Sequence, residues 1–569
     1  MLDYHAHVAV ARELRASVGA VFAGDPALAA QVHDLCAAVD DDPDAALLGA
    51  CLDHVVAQAD SDGTELALLE QAADLWSRGR ELYDELGRIR QELEGALADP
   101  TAPGAVALLQ SGIGRLDGLR TGALQVSHEA ETLKQAIAPL PHLDRHPRQS
   151  DTPSADWSWR DAFLARRTDA LVRAVFAHAG TPRTRAFAFG ALAGYAGNVA
   201  GAAYLGCVTG GPRRSHRYRN RLARNAVGAA LHGAFATPPP AELAQRLDFT
   251  GPGGVASLPA DVADVLRDAL ADAYPSRPPP DLDLGLQRVV RQLRLLDAFA
   301  RPPLPQAPPL ALAGSGAATG GLSILSATGE LTPPGGGVGL DPDFEPTDVG
   351  VGDSHKTGGD ACVAILVAII TIGIALLIYC IGKWSLDKEC EVSDFVDEFQ
   401  GSEEPDPTAP TGVGQQELTA MAKPEAAAHV VQELFNLQLL LWQGFDVALS
   451  YLAVSGLVYP DDLLLPSPLY QQFLRTPERG EWPHREEAAP EDTFHLDPAS
   501  PIEAPDAGPP FPAGHTPASF VVSWSSGHSA GPVAAILLGQ ILNDEEGTNL
   551  DLDADRGFLH ACWDVAPGT

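Results

Sequence analysis

The chain has 569 residues, of which 45 % are hydrophobic and 20 % charged, so it can bury a sizeable core and is not disordered throughout. Its formal net charge is −37, and residues 303–569 contain 38 acidic residues against only 8 Lys and Arg. Because nucleic-acid binding needs Lys and Arg facing the phosphates, this balance argues against it. The seven cysteines form no CxxC pair, and therefore indicate neither a zinc ribbon nor a disulfide framework.

The first 300 residues have the periodicity of helices. Apolar residues recur at spacings of four and seven among charged ones, as at Leu75, Leu82, Leu86 and Leu93. Runs of alternating polar and apolar residues, which would indicate strands, do not occur there. The sequence therefore predicts a mostly α protein with an N-terminal helical domain over residues 1–300. Because the N-terminus lacks the basic and apolar regions of a secretory signal, we expect this domain in the cytoplasm.

The clearest physical signal in the chain is a membrane span over residues 361–384, after a Pro- and Gly-rich linker at 301–360. Residues 361–382 are 22 residues without a charge, and at 1.5 Å per residue they cover about 33 Å, which matches a hydrocarbon core of ~30 Å. Lys383 and Trp384 follow, as is typical of a membrane interface. We expect a single-pass protein of the cell membrane, with the orientation of the span left open.

Three segments follow the span. Residues 385–424 are predicted to be an acidic linker, and residues 425–457 an amphipathic helix. Glu433 and Asp446 make this helix a poor second span, so we interpret it as an interfacial or partner-packing helix, with a re-entrant membrane segment as the alternative. Residues 458–569 are rich in proline and acidic residues and are predicted to be a tail with little regular structure.

The stretch from Phe187 to Leu231 contains a glycine-rich helix, a Gly-Gly-Pro turn at 210–212 and an arginine-rich helix. This arrangement resembles the zinc-dependent phospholipase C family in its divergent bacterial form. The resemblance extends over residues 1–300 and is best over 190–225. It implies a helical fold in which His, Asp and His, four residues apart on one helix, hold zinc. Zinc in that family activates a water molecule that attacks a phosphodiester.

This chain lacks the ligands at the matched positions. The residues that stand where the family has metal ligands are Leu164, Gly194, Asn198 and Ala202. Leucine, glycine and alanine side chains cannot bind a metal, and asparagine is a poor zinc ligand. The resemblance therefore implies a degenerate domain that has lost its catalytic residues and its cofactor.

Four other groups are candidate remnants of the metal site. His7 matches an N-terminal His-x-x-x-Ala pattern of the family, and either Asp53 or His54 matches a ligand aspartate. His216 follows the Gly-Gly-Pro turn. If these residues hold zinc in a rearranged set, the protein is an active metal-dependent phospholipase or phosphodiesterase.

One dense basic cluster could contact phosphate or an acidic partner. It comprises Arg213, Arg214, Arg217, Arg219, Arg221 and Arg224. A solvated helix face with salt bridges to neighbouring acids is the alternative interpretation.

A second resemblance is confined to a short motif. Ser526-Gly527-His528 resembles the phosphate loop of vanadium-haloperoxidase-like phosphatases, but the other motifs of that family are missing. The leading hypothesis is therefore a non-catalytic, membrane-anchored binding scaffold or adaptor at the cytoplasmic membrane. Its expected partners are the lipid bilayer and another protein, without nucleic acid. The active metal-dependent hydrolase is the rival hypothesis.

Overall fold

The computed structural model describes residues 2–98, 104–137, 157–165, 168–209, 217–251, 254–308, 424–465, 518–522, 529–547 and 552. The predicted membrane span at 361–384 lies outside these residues, as does the predicted acidic linker up to residue 423. Ser526-Gly527-His528 and the Gly-Gly-Pro turn lie outside them too.

The described residues form helices and contain no β-strand, which confirms the predicted mostly α fold. The helices are α1 (Tyr4–Val21), α2 (Pro26–Asp41), α3 (Pro43–Ala50), α4 (Leu52–Ala59), α5 (Thr64–Ala98), α6 (Ala105–Ile137), α7 (Trp159–Ala165), α8 (Thr168–His178), α9 (Pro182–Thr209), α10 (Arg217–Phe235), α11 (Pro240–Leu247), α12 (Ala260–Ala273), α13 (Leu282–Leu296), α14 (Pro424–Val454) and α15 (Ala530–Leu542). A 3₁₀ turn follows α13 at Asp297–Phe299, and a π-helical turn precedes α15 at Ala518–Val522.

Aspartates begin the first three helices. The Asp3 carboxylate accepts a hydrogen bond from the backbone N–H of Ala6, and Asp25 and Asp42 cap α2 and α3 in the same way. A proline stands at the first position of both α2 and α3. Because the first N–H groups of a helix have no partner within it, these caps determine where each helix begins.

The contacts divide the chain into two compact units, each built from segments that are distant in sequence. Unit 1 comprises Met1–Leu69, Pro139–Asp297 and Ala453–Thr569. Unit 2 comprises Glu70–Ala138 and Ala298–Leu452. The stretch predicted as one N-terminal domain, residues 1–300, therefore contributes to both units.

Helix α9 lies at the centre of unit 1 and packs against α1, α2, α3, α8, α10, α12 and α15. From Ala186 to Leu205, nearly every described side chain is buried, as expected of a helix that is apolar on all sides. Its closest neighbour is α3. A Cβ added at Gly190 would lie 1.9 Å from the carbonyl oxygen of Ala46, and one at Gly49 would lie 2.1 Å from that of Phe187. The two backbones therefore touch, which only glycine permits at these positions.

The C-terminal part of the chain contributes to unit 1, where the sequence predicted little regular structure. Helix α15 packs against α9, α1 and α2, and it buries Ala534, Leu537 and Leu538. The backbone N–H of Leu552 donates to the carbonyl oxygen of Leu164 at 2.9 Å. The apolar run at 533–542 is itself typical of a helix, and α9 offers it the apolar surface against which it packs.

Unit 2 contains α5 from residue 70 onward, α6 and most of α14. Trp76 and Tyr83 of α5 contact the ring of Phe445 on α14, with centroid distances of 4.9 and 6.2 Å. Arg78 of α5 forms an ion pair with Glu129 of α6. A helix is present over Pro424–Val454, where the sequence predicted one over 425–457.

By length and composition alone, Leu434–Val454 of α14 could cross a membrane, and it is the one such helix among the described residues. About half of its most apolar 18-residue window, 47 %, is buried. Its acidic residue Asp446 pairs with Arg301 inside unit 2.

Candidate functional site

Four buried polar side chains meet in unit 1, where the first turn of α1 faces α4 and α9. They are His7, Asp53, His54 and Asn198, with exposures of 0, 4, 6 and 3 %. His7 Nε2 lies 3.0 Å from Asp53 Oδ2, and the Asn198 amide donates to the same oxygen at 2.8 Å. The structure thus brings together three of the four candidate remnants with one of the substituted ligand positions. His216 lies outside the described residues.

The remaining hydrogen bonds fix the Asp53 carboxylate and Asn198 in place. Asp53 Oδ1 accepts from the backbone N–H of His54 at 2.8 Å. Asn198 Oδ1 accepts from the backbone N–H of Leu2 at 2.8 Å, which ties the N-terminus of the chain to α9. Asn198 therefore acts as a hydrogen-bonding bridge at a position where the resemblance implies an aspartate ligand.

The two histidine rings are held by aromatic packing. The His54 ring stacks on Tyr4 at 4.0 Å and meets the edge of His7 at 5.5 Å. His7 Nδ1 and His54 Nε2 are buried without a hydrogen-bond partner. One possible ligand atom from each of His7, Asp53 and His54 lies within 4.8 Å of the others. Two imidazoles and a carboxylate are a donor set that zinc accepts, although Asp53 Oδ2 already accepts hydrogen bonds from two partners.

Burial dominates the electrostatics of this cluster. It lowers the pKa of His54 to about 3, because the charged imidazolium would lose its solvation. The Asp53 carboxylate raises the same pKa, but by less. Burial alone would raise the pKa of Asp53, but His7, His54 and the bond from Asn198 outweigh it and hold this pKa below its usual range. Burial also raises the pKa values of Tyr4 and Cys51.

Acid should destabilise unit 1 through His54. In the unfolded chain His54 takes up a proton near pH 6.5, whereas in the folded chain it does so only near pH 3. The contribution of His54 to stability is therefore complete above pH 6.5 and decreases as the pH falls towards 3. The lowered pKa of Asp53 acts in the same direction below about pH 4. We expect a loss of roughly 3–5 kcal/mol over this window.

Chemical denaturation of the full chain at a series of pH values measures this loss. In the His54→Gln variant, which does not titrate there, stability should depend much less on pH between 6.5 and 3. A variant with the same pH dependence as the native chain would contradict the assignment to His54.

The other positions at which the resemblance implies metal ligands are filled by packing. Leu164 is 1 % exposed and forms a hydrophobic cluster with Val199 and Leu552, against which Ala202 packs. At Gly194, a Cβ would lie 2.5 Å from the carbonyl oxygen of Ala50. No side chain fits at residue 194 unless α3 moves, and the space around residues 164 and 202 is apolar.

A second polar cluster lies beside the first and was not predicted from the sequence. Thr237 Oγ1 lies 2.9 Å from His5 Nδ1 and 3.0 Å from His232 Nδ1. The ring of Tyr459 is 5.2 Å from that of His5. Burial lowers the pKa of His5, with His232 adding to the effect. The four residues are separated by up to 454 positions, and no local spacing signals that they meet.

The basic cluster is described only in part. Arg213 and Arg214 lie outside the described residues, and the side chains of Arg217 and Arg219 on α10 are not described. Arg221 forms an ion pair with Glu65. Arg224 lies one helical turn further, and its Nε is buried.

Comparisons of the chain with protein-family models, with curated proteins and with solved structures found no match to any of them.

Proposed function

We propose that this chain is a membrane-anchored, non-catalytic relative of the zinc-dependent phospholipases C that acts as a binding scaffold at the cytoplasmic membrane. The observation that carries the proposal is the apolar cluster of Leu164, Val199 and Leu552, with Ala202 packed against it. Two positions where the resemblance implies zinc ligands thus contribute to hydrophobic packing. A hydrolytic zinc cluster needs charged or imidazole donors there.

The contacts of the remaining polar groups support the same proposal. Asp53 accepts hydrogen bonds from the Asn198 amide and the His54 backbone and lies against His7, and these contacts link α1, α4 and α9. Asn198 links the Asp53 carboxylate to Leu2 at the start of the chain. In this proposal the former site has become a structural polar network, and the scaffold keeps its shape without metal.

The rival function is a metal-dependent hydrolase with a rearranged ligand set. One observation favours it, namely the two buried ring nitrogens, His7 Nδ1 and His54 Nε2, that have no hydrogen-bond partner. A zinc ion near His7, Asp53 and His54 would use one or both of them. It would supply a bound water of lowered pKa.

Metal analysis separates the two functions. We expect the purified full chain to hold no stoichiometric zinc and to melt at the same temperature with and without a chelator, because metal that is not bound contributes no folding free energy. Zinc at one equivalent per chain, with a lower melting temperature and loss of phosphodiester hydrolysis after chelation, would contradict the scaffold proposal.

The membrane part of the proposal rests on residues 361–382. Deleting them should move the protein to the soluble fraction, because they form a strongly apolar, uncharged segment long enough to span a bilayer. Deletion of residues 314–335, a stretch of the same length in the Gly-rich linker, is the matched control and should leave the protein in the membrane. If the first variant still needs detergent, the anchor is Leu434–Val454 of α14.

A further inference from the structure

The side chain of Arg221 on α10 is held in place from several sides. Its Nη2 group forms an ion pair with Glu65 at the start of α5. A Cβ added at Gly456 would lie 2.2 Å from Arg221 Cδ, so the backbone at residue 456 lies directly against the arginine stem. The Asn225 amide donates to the carbonyl oxygens of Gly456 and Val458 at 3.0 and 3.1 Å, which fixes this loop to α10. As a result the Arg221 side chain is only 11 % exposed.

Two arginines of α10 have buried nitrogen atoms that are not used. Arg221 Nη1 and Arg224 Nε are buried and have no hydrogen-bond partner among the described residues. Within that part of the chain Arg224 also has no ion pair. Residues three apart on a helix are neighbours, so the two side chains lie on the same face of α10. Because cationic groups that are withdrawn from water are normally paired, the unused N–H groups indicate an anionic ligand.

A third arginine lies near these two. Arg160 of α7 is engaged in contacts of its own and contributes its charge. Partial burial raises the pKa of Glu65, but the charges of Arg221, Arg160 and Arg224 outweigh it and hold this pKa below its usual range. Charged neighbours shift a pKa in this way at short distances. Three guanidinium groups therefore act on one carboxylate, and the region between α7 and α10 attracts anions.

We infer that Arg221 and Arg224 bind a phosphate group, with their buried N–H groups donating to its oxygen atoms. A guanidinium group donates from a planar fork that matches phosphate geometry, and such charge-assisted hydrogen bonds are strong. A phosphate monoester has about two negative charges and three terminal oxygens near neutral pH, so one ligand can engage both arginines. Inorganic phosphate and the headgroup of phosphatidic acid share this chemistry. The inference deepens the proposed scaffold function and rests on it in taking the site to be free of metal.

Binding of inorganic phosphate to the full chain tests the inference. The protein is kept in dodecyl maltoside, which contains no phosphate, and in a buffer with a metal chelator. Calorimetry should give one site per chain, and phosphate should raise the melting temperature. Acetate, which has one charge and two oxygens, should bind at least tenfold more weakly.

Two results of this measurement would contradict the inference in different ways. If phosphate binds neither with the chelator nor with added zinc, the arginine site is absent, while the scaffold proposal stands. If phosphate binds only after zinc replaces the chelator, the ion is held by a metal. That result would overturn both the arginine site and the metal-free scaffold.

Vesicles distinguish the two sources of the phosphate group. The full chain in phosphatidylcholine vesicles should bind inorganic phosphate as it does in detergent. If phosphatidic acid in the vesicles abolishes this binding and phosphatidylglycerol, an anionic diester, does not, the site takes the lipid headgroup. Any other result assigns the site to the free ion.

Variants of α10 locate the ligand. Arg224→Gln should weaken phosphate at least tenfold and melt no lower than the native chain, because this arginine has no ion pair to lose. Arg221→Lys keeps the charge but removes the fork, and it should also weaken phosphate at least tenfold. Arg267→Gln, which removes an exposed arginine paired with Asp264 on α12, is the matched control and should bind as the native chain does. If Arg224→Gln and Arg221→Lys both keep the native affinity, the ion lies elsewhere and the inference is wrong.

Discussion

Replacing Asp53 with alanine is expected to lower the free energy of unfolding by roughly 3–5 kcal/mol, because several buried polar groups are left without their partner at about 1–3 kcal/mol each. The carboxylate is 4 % exposed, and it lies within hydrogen-bonding distance of His7 Nε2, the Asn198 amide and the backbone of His54. Without it these groups stay buried and lose their partner. Urea unfolding of the full chain measures the loss.

The Asp53→Asn variant should lose less, because its amide oxygen still accepts one of the hydrogen bonds. Asp40→Ala is the control at the surface. It removes the exposed pair with Arg15 and should change stability little, since such pairs are screened by solvent. An Asp53→Ala protein as stable as the Asp40→Ala protein would show that the buried network contributes nothing to the fold.

Gly190→Ala is expected to destabilise unit 1 by about 3 kcal/mol, at the upper end of the costs of overpacking a core. The new Cβ would lie 1.9 Å from the carbonyl oxygen of Ala46 and 2.8 Å from the backbone nitrogen of Ala50. Both atoms belong to the backbone of α3, so no side-chain rotation relieves the clash and the helix itself must shift. The gain in helix propensity from glycine to alanine, up to about 1 kcal/mol, is too small to compensate.

Gly233→Ala provides the matched control on α10. A Cβ there meets nothing within 4 Å, so this variant should gain about 0.5–1 kcal/mol from the lower conformational entropy of its unfolded chain. Thermal unfolding of both variants should therefore give shifts of opposite sign. If the two shifts agree in sign, the close contact between α3 and α9 is absent in solution.

The sequence predicted the class of fold because helical periodicity is a local property. The recurring apolar positions of α5, at Leu75, Leu82, Leu86 and Leu93, follow from the period of a helix and need no knowledge of the partner. The aspartate caps at Asp25 and Asp42, each before a proline, are equally local. The helical class was therefore accessible from the residues alone.

The assembly of those helices was not accessible in the same way. Residues 70–138 belong with 298–452 in unit 2, and α15 packs on α9 although some 320 residues separate them. Long-range packing depends on which apolar faces complement each other, and no local pattern records that.

For the candidate site, too, some properties follow from the local sequence and others only from the tertiary structure. The family resemblance singled out His7, either Asp53 or His54, and Asn198, because they stand at positions matched to metal ligands. Only the tertiary structure decided that Asn198 bridges Asp53 and Leu2, and that Leu164 and Ala202 lie in apolar packing. It also brought Thr237 between His5 and His232. A side chain's chemistry is set by its own residue type, whereas its hydrogen bonds, burial and pKa are set by neighbours that come from elsewhere in the chain.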